Sequence, residues 1–233
     1  MSAALPQPNL PHGALPQVVV AESIAPQAWK NGGGQTRELL AWPLGGDWKM
    51  RVSRADIASD GPFSAFPGVE RWFVVLEGAG VRLHFPDTDH DLRVGDAPLR
   101  FDGALAPGCS QIEGATQDLN LMVRDGHGGM MPVQAGALWP PAWAINGLYA
   151  RVAGLWQCHH ADGREQSLAL PAHSLLWTQA GTDPCDAQHW QFSPTHSGTG
   201  ADLAAGWWIG YRPAMRDVPP GTPGSTDPTG STP

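Results

Sequence analysis

The chain has 233 residues, of which 42% are hydrophobic, so it is long enough to bury one large core or two smaller ones. Charged residues make up only 15%, the net charge is −8 and no run of Lys or Arg occurs, which excludes a basic surface for nucleic acid. Turn formers are abundant, with 29 Gly and 23 Pro between short apolar runs. This composition predicts an all-β protein with little helix.

The two ends of the chain differ in composition from the rest. Residues 1–16 are rich in Pro, and residues 213–233 are a low-complexity mixture of Pro, Gly, Ser and Thr, so we expect a flexible leader and a disordered tail. The N-terminus lacks the positive and apolar regions of a signal peptide, and no apolar run approaches the roughly 18 residues of a membrane span. With three widely spaced cysteines, these features favour a cytoplasmic protein without disulfides or membrane partners.

Three consecutive glycines follow Asn31 and precede Thr36 in the run Trp-Lys-Asn-Gly-Gly-Gly-Gln-Thr-Arg. Glycine lets a backbone approach a ligand closely, and the flanking amide and hydroxyl groups are suited to a small polar ligand. The alternative interpretation is a bent strand entry that needs positive φ. A phosphate loop is excluded because the Gly-Lys-Ser/Thr ending is missing.

Residues 48–55 alternate clearly, with Met50 and Val52 on one face and Arg51 and Ser53 on the other, as in a half-buried strand. Residues 71–76 predict another strand, which turns at residues 77–80 and pairs back with residues 81–85 as a hairpin. Residues 119–123 predict a further strand, with Asn120 and Met122 on the same face.

The second half has a weaker series of short strands between residues 149 and 211, and residues 142–148 are compatible with a short helix. The eleven Trp are interpreted as apolar filler between sheets, and a Trp-lined sugar or aromatic site is the alternative. The rhythm of strands and turns predicts two β-sandwich or barrel units joined near residues 126–140.

Several motifs between residues 27 and 124 occur in the order and spacing of one known family. The run from Arg71 to Glu77, followed by Val94-Gly-Asp, resembles the strand and turn of a cupin barrel. The wider pattern resembles the HutD/Ves family, through Trp29–Glu38, Arg51–Ala55, Asp60–Ser64, Phe66–Gly68, Phe101–Gly103 and Asp118–Met122.

The resemblance implies two cupin-like (jelly-roll) antiparallel barrels in one chain, at residues 17–128 and 129–212. It also implies a cytoplasmic protein associated with histidine utilisation. The HutD branch of the family is thought to bind N-formylglutamate or a related intermediate and to restrain the pathway.

The usual metal ligands of a cupin are replaced in the first half. Arg71 stands where the ligand Glu of a metallo-cupin would stand, residues 64–67 stand in place of the His pair, and residues 97–114 contain no His. We therefore predict no metal and no cofactor there. The second half offers Cys158-His159-His160 and His173, but neighbours on a strand face opposite ways, so a loop His pair is favoured.

Arg51 and Arg71, which lie on predicted strand faces, predict recognition of an anion. A buried guanidinium needs a partner, which is either an internal carboxylate (Glu38, Asp118 or Glu77) or the carboxylate of a ligand. We predict no catalytic residue. The predicted ligand site consists of Asn31, Thr36, Arg51, Ser53, Phe63, Arg71, Asn120 and Met122.

Three functions remain open at this point. The first is a metal-free, regulatory binding protein for a small carboxylate such as N-formylglutamate. The second is a metal-independent cupin-type isomerase or hydrolase that acts on a small polar acid by general acid–base chemistry. The third is a protein–protein interaction module. The sequence leaves the oligomeric state open.

Overall fold

The structure is a computed structural model that describes residues 16–134, 136–140, 142–179, 189–195 and 203–214. Within these ranges the secondary structure is all β, apart from two single-turn 3-10 helices, Ala21–Ser23 and Gly103–Leu105, which confirms the predicted class. Nearly all of the predicted leader and tail lies outside the described residues, as does Cys185. No helix in the described part of the chain is long and apolar enough to cross a membrane.

The strands of the first half are short and antiparallel. They are β1 (Gln17–Val20), β2 (Gln27–Ala28), β3 (Gly34–Trp42), β4 (Met50–Ile57), β5 (Gly61–Pro62), β6 (Glu70–Glu77), β7 (Val81–His84), β8 (Asp89–Leu92), β9 (Leu99–Asp102), β10 (Gly108–Gln111) and β11 (Thr116–Val123).

The strands of the second half are also short and antiparallel. They are β12 (Gly126–Pro132), β13 (Ile145–Ala150), β14 (Gly154–His159), β15 (Glu165–Leu170), β16 (Ser174–Gln179), β17 (His189–Pro194) and β18 (Gly206–Pro213).

The strands form four antiparallel sheets. Sheet 1 has the order β5-β10-β7-β8, and sheet 2 has the order β2-β3-β4-β11-β6-β9. Sheet 3 has the order β1-β16-β13-β18-β12, and sheet 4 has the order β15-β14-β17. Since β1 pairs with β16, the start of the chain belongs to a sheet that otherwise consists of strands after residue 125.

Three apolar clusters pack the sheets against one another. The central cluster joins side chains of sheet 2, such as Val52 and Leu121, to side chains of sheet 3, such as Ile145 and Ile209. A second cluster lies between sheets 1 and 2, and a third between sheets 3 and 4. Sheet 2 therefore has one face in the central core and its other face toward sheet 1.

The predicted hairpin of residues 71–76 with residues 81–85 is wrong. β6 pairs with β11 and β9, whereas β7 pairs with β10 and β8 in another sheet. Gly78 and Gly80, with φ of 93° and 109°, take the chain from one sheet to the next. A Cβ on either would lie 2.5 or 2.2 Å from a backbone oxygen, so only glycine fits this crossing.

The short helix considered for residues 142–148 is also wrong. Ile145–Ala150 is a fully buried strand between β16 and β18. The Asn146 side chain donates to the carbonyl of Trp143 and accepts from its N–H, which fixes a turn before the strand. Hydrogen bonding on both sides of the strand outweighs a weak local preference for helix.

Candidate functional site

A cavity of about 670 Å³ opens against the face of sheet 2 that does not pack on sheet 3. Its volume is in the usual range for a small-molecule site. All eight residues that the sequence predicts as the ligand site line this one cavity. They are Asn31, Thr36, Arg51, Ser53, Phe63, Arg71, Asn120 and Met122.

The floor of the cavity is built by strand register. On β11 the side chains of Asp118, Asn120 and Met122 point the same way, because alternate residues of a strand share a face. Their partners across the β4 pairing are Ala55, Ser53 and Arg51, which also line the cavity. The predicted division into two faces is confirmed for residues 50–53, since Met50 and Val52 belong to the central core, whereas Trp48 and Lys49, which the prediction included in the strand, precede β4.

The glycine-rich run shapes one wall of the cavity. Gly32 has φ of 71°, and a Cβ on Gly34 would lie 2.4 Å from the carbonyl oxygen of Asp56, so these positions require glycine. The Trp29 Nε1–H donates to Thr36 Oγ1 at 2.7 Å, and Asn31 Oδ1 accepts from the N–H of Gly33 at 3.0 Å. The glycine run is therefore both the bent entry to a strand and a part of the cavity wall.

Arg71 is buried in the cavity wall, and no carboxylate of the described residues forms an ion pair with its guanidinium. Only 5% of its surface is exposed, and its Nε and Nη1 have no hydrogen-bond partner among the described residues. Its Cζ lies 5.0 Å from the ring centroids of Phe63 and Phe101 and 5.8 Å from that of Phe66. Burial lowers the pKa of Arg71 to about 10, and Arg51 adds to the shift while Asp118 opposes it.

Arg51 differs from Arg71 because it has an internal partner. Its Nε donates to Glu38 Oε2 at 2.6 Å, and its Nη1 lies 3.8 Å from the Met122 sulfur. Of the carboxylates considered as internal partners, Glu38 thus belongs to Arg51, whereas Glu77 lies 3.2 Å from His173. The positive charge of Arg51 is already offset and that of Arg71 is not.

Asp118 is a member of the site that the sequence reasoning considered only as an ion-pair partner. It is 2% exposed and lines the cavity two residues before Asn120. Burial raises its pKa to about 8, with Arg71 lowering it and Asp56 raising it further. The alternation that placed Asn120 and Met122 on one face would have placed Asp118 there as well.

The neighbouring Asn120 is 7% exposed, and its Oδ1 has no hydrogen-bond partner among the described residues. Further lining residues come mainly from the segments on either side of the floor. Those absent from the predicted set are Gln27, Ala28, Trp29, Lys30, Ala55, Pro62, Ser64, Phe66 and Asp118.

In the part of the chain that the structure describes, no three His, Cys, Asp or Glu side chains are grouped so that they could hold a metal ion. His159 lies 3.1 Å from Glu165, and His173 contacts Tyr149 as well as Glu77. The absence of a metal stays a prediction. Cys109 and Cys158 are buried thiols, as the sequence indicates.

A family model described as HutD matches residues 21–194. The chain belongs to the HutD family. Protein Ves of Citrobacter koseri is 33% identical over 165 residues, which cover 65% of this chain and 86% of that protein. An uncharacterised 21.2 kDa protein in the hutC 3′ region of Pseudomonas putida is 33% identical over 108 residues, which cover 46% of this chain and 57% of that protein.

Solved structures confirm a cupin-like all-β fold. A conserved protein of unknown function from Pseudomonas aeruginosa has a TM-score of 0.71 at 24% identity, covering 86% of this chain and 100% of that chain. HutD from Pseudomonas fluorescens has a TM-score of 0.66 at 21% identity, covering 85% and 98%. A mutant of the Bacillus subtilis oxalate decarboxylase has a TM-score of 0.56 at 10% identity, covering 88% and 80%.

Proposed function

We propose that the chain binds a small carboxylate metabolite in the cavity of sheet 2, without a metal, and that N-formylglutamate is the first ligand to test. The single observation behind this proposal is Arg71. A buried guanidinium with two unsatisfied nitrogens is costly unless an anion completes its hydrogen bonds, and a carboxylate fits its planar fork.

The surroundings of Arg71 are consistent with a ligand rather than with an internal ion pair. Three aromatic rings pack within 5.0 to 5.8 Å of the guanidinium, and such low-polarity surroundings strengthen a hydrogen bond made there. Ser53 and Asn120 lie beside it on the floor and offer neutral hydrogen-bonding groups to the rest of a ligand. The cavity has room for more than a single carboxylate group.

The role we propose is regulatory and non-catalytic, in histidine utilisation. Support comes from membership of the HutD family and from the relative in the hutC 3′ region of Pseudomonas putida. A cytoplasmic location, which the family resemblance implies, stays a prediction.

Isothermal calorimetry with N-formyl-L-glutamate tests the binding function. We expect Arg71→Ala to weaken binding roughly ten- to a hundredfold, since a charged hydrogen bond is worth about 1.5–3 kcal/mol. Arg71→Lys should not restore binding fully, because an ammonium cannot form a bidentate pair with a carboxylate. Arg82→Ala is the matched control, since Arg82 is an exposed arginine paired with Asp91 away from the cavity.

Equal affinities of wild type, Arg71→Ala and Arg71→Lys would mean that Arg71 has a structural role and that the ligand site is elsewhere. No binding of N-formyl-L-glutamate by the wild type, together with no stabilisation by formate, glutamate or glutarate in a thermal-shift screen, would reject the carboxylate function.

A second candidate function is a metal-independent isomerase or hydrolase that acts on a small polar acid. Asp118 favours it, because a carboxyl group whose pKa is raised to about 8 can give and take protons near neutral pH. Proton NMR of N-formyl-L-glutamate incubated with the protein decides between the two candidates. An unchanged spectrum supports binding alone, and conversion that Asp118→Asn abolishes supports the enzyme.

We infer further that sheets 1 and 2 enclose one cupin-like barrel and sheets 3 and 4 a second, with the boundary near residue 128. The separate apolar cluster inside each pair of sheets supports this division. The exchange of β1 into sheet 3 would then join the two units. A crystal structure of the full chain would show whether each pair of sheets closes.

A further inference from the structure

Asp118 lies at one end of the cavity floor, and Arg51 and Met122 lie at the other. Met122 follows Asp118 by four positions on β11, a distance of roughly 13 Å along the strand. The Asp118 carboxyl group is nevertheless close enough to Arg71 for their charges to interact. One buried acid, Asp118, and one buried guanidinium, that of Arg71, therefore line the same cavity.

The charge state of Asp118 determines how strongly the cavity attracts an anionic ligand. Glu38 already offsets Arg51, and Lys30 in the cavity lining is exposed to solvent, so Arg71 is the buried positive charge that remains for the ligand. If Asp118 were ionised, its charge would offset Arg71 and leave the floor without net attraction for an anion. If Asp118 is protonated, Arg71 is left to the ligand and the Asp118 O–H becomes a hydrogen-bond donor.

Resting on the carboxylate-binding function proposed above, we propose that the cavity takes up its anionic ligand together with a proton on Asp118. Asp118 is then a specificity-determining residue of the site. As a neutral acid it donates its O–H to an acceptor oxygen of the ligand, while Arg71 receives the ligand carboxylate. Ionisation of Asp118 places a second negative charge beside that carboxylate and expels it.

The groups that face Asp118 from neighbouring elements leave it as the residue that titrates between pH 7 and 9. Burial raises the pKa of Asp118 to about 8. The pKa of Arg71 on β6 is lowered to about 10, and that of the Cys109 thiol on β10 is raised to about 12, so neither changes charge strongly in this range. The pKa of Asp56 on β4 is lowered by its bonds to Gln35 and Arg37, so Asp56 stays ionised.

The ligand affinity should fall as the pH rises, because Asp118 loses its proton before the neighbouring groups change charge. Below about pH 8 Asp118 carries a proton, so ligand binding needs no further protonation and the affinity is constant. Above about pH 8 the free site has lost that proton and must recover it to bind. We expect the Kd for N-formyl-L-glutamate at pH 9 to be about tenfold higher than at pH 7.

Calorimetry of the full-length wild type in two buffers of different ionisation enthalpy measures the proton directly. At pH 8.5 we expect net uptake of most of one proton per ligand bound, and at pH 6.5 uptake close to zero. This comparison needs no variant, so it stands even if substitutions at Asp118 impair folding.

Asp118→Asn is the matching substitution, because the amide has the shape of the neutral acid and retains a donor. We expect its Kd for N-formyl-L-glutamate to change by less than twofold between pH 7 and 9, in contrast to the tenfold change of the wild type. Asp91→Asn, which removes an exposed carboxylate of sheet 1, should keep the wild-type pH profile and proton uptake.

Failure of the carboxylate-binding function and failure of the role of Asp118 would give different results. If the wild type binds no carboxylate probe at pH 6.5, the proposed function itself is wrong. If the wild type binds but shows no proton uptake at pH 8.5, or if Asp118→Asn retains the tenfold change between pH 7 and 9, carboxylate binding stands and the role of Asp118 is overturned.

Discussion

The space between sheets 1 and 2 and the space between sheets 3 and 4 are filled in opposite ways. Between sheets 3 and 4 lie four buried tryptophans, Trp139, Trp156, Trp190 and Trp208. Their rings meet in one stacked, one tilted and one edge-to-face pair, with centroids 5.3 to 6.2 Å apart. Against sheet 2, an apolar cluster occupies one end of the space and the polar cavity the other. Aromatic side chains fill the space between sheets 3 and 4, whereas the space beside sheet 2 retains an open cavity.

Two buried asparagines show the same contrast on a smaller scale. Asn146 on sheet 3 is 2% exposed and makes hydrogen bonds to both backbone groups of Trp143. Asn120 on sheet 2 is 7% exposed, and its Oδ1 has no partner in the described part of the chain. An unsatisfied buried oxygen costs free energy of folding, so its position in the cavity wall points to a ligand as the missing partner.

The largest effect on stability is expected in the aromatic core. Trp156 is 2% exposed and meets Trp190 edge to face, so Trp156→Ala should lower the free energy of unfolding by about 3–5 kcal/mol. Urea denaturation followed by fluorescence measures the change. Ligand affinity of the folded fraction should be unchanged, and a parallel loss of affinity would show that the two halves do not act separately.

Substitution of Arg71 should have the opposite effect, a loss of ligand affinity without a loss of stability. Replacing a buried, incompletely paired charge by an apolar side chain of similar length is often neutral or stabilising. Arg71→Met should therefore leave the free energy of unfolding, measured by urea denaturation, unchanged or raise it by up to about 2 kcal/mol. The same variant should lose affinity for N-formyl-L-glutamate. A destabilised Arg71→Met protein would indicate that Arg71 holds the fold rather than the ligand.

Asp118 should make the empty protein less stable as the pH rises. Its pKa is raised to about 8 in the folded state and returns to near 4 on unfolding, so the folded state holds a proton that the unfolded chain releases between these values. The free energy of unfolding should therefore fall with rising pH by up to about 1.4 kcal/mol per unit from this residue. Thermal unfolding of wild type and Asp118→Asn from pH 5 to 8 tests this, and parallel slopes would refute it.

The smallest effects should separate the two asparagines. Asn146→Ala leaves two partly buried backbone groups of Trp143 without their side-chain partner and should lower the free energy of unfolding by about 1–2 kcal/mol. Asn120→Ala removes a group that has no partner for its oxygen, so stability should change by less than about 0.5 kcal/mol while binding weakens about fivefold. Similar losses of stability for both variants would remove the distinction between a structural and a ligand-facing amide.

Local patterns were sufficient to predict which residues share a strand face. Period-two alternation placed Arg51 and Ser53 opposite Met50 and Val52, and it placed Asn120 beside Met122, as the structure has them. Alternation depends only on backbone geometry within one strand, so it can be read without knowing the partner strand. The all-β class could be predicted for a similar reason, since abundant Gly and Pro between short apolar runs indicate strands and turns without any knowledge of strand pairing.

Local sequence patterns did not predict which strands pair with each other. The turn after Glu77 looks like a hairpin, yet it moves the chain from sheet 2 to sheet 1, because each strand gains more by pairing with distant strands that bury its apolar face. For the same reason Ile145–Ala150 is a strand between two others and not a helix. Pairing of residues far apart in the chain is a property of the whole core.

The sequence by itself determined the chemistry available to the site, because the residue types at alternate strand positions supply arginine, amide and hydroxyl groups without the ligands of a metallo-cupin. Only the tertiary structure decided how the charges are shared. It gives Glu38 to Arg51, surrounds Arg71 with aromatic rings and buries Asp118 near it. Charge state and partner depend on burial and on distances between strands, and both are fixed only when the sheets pack.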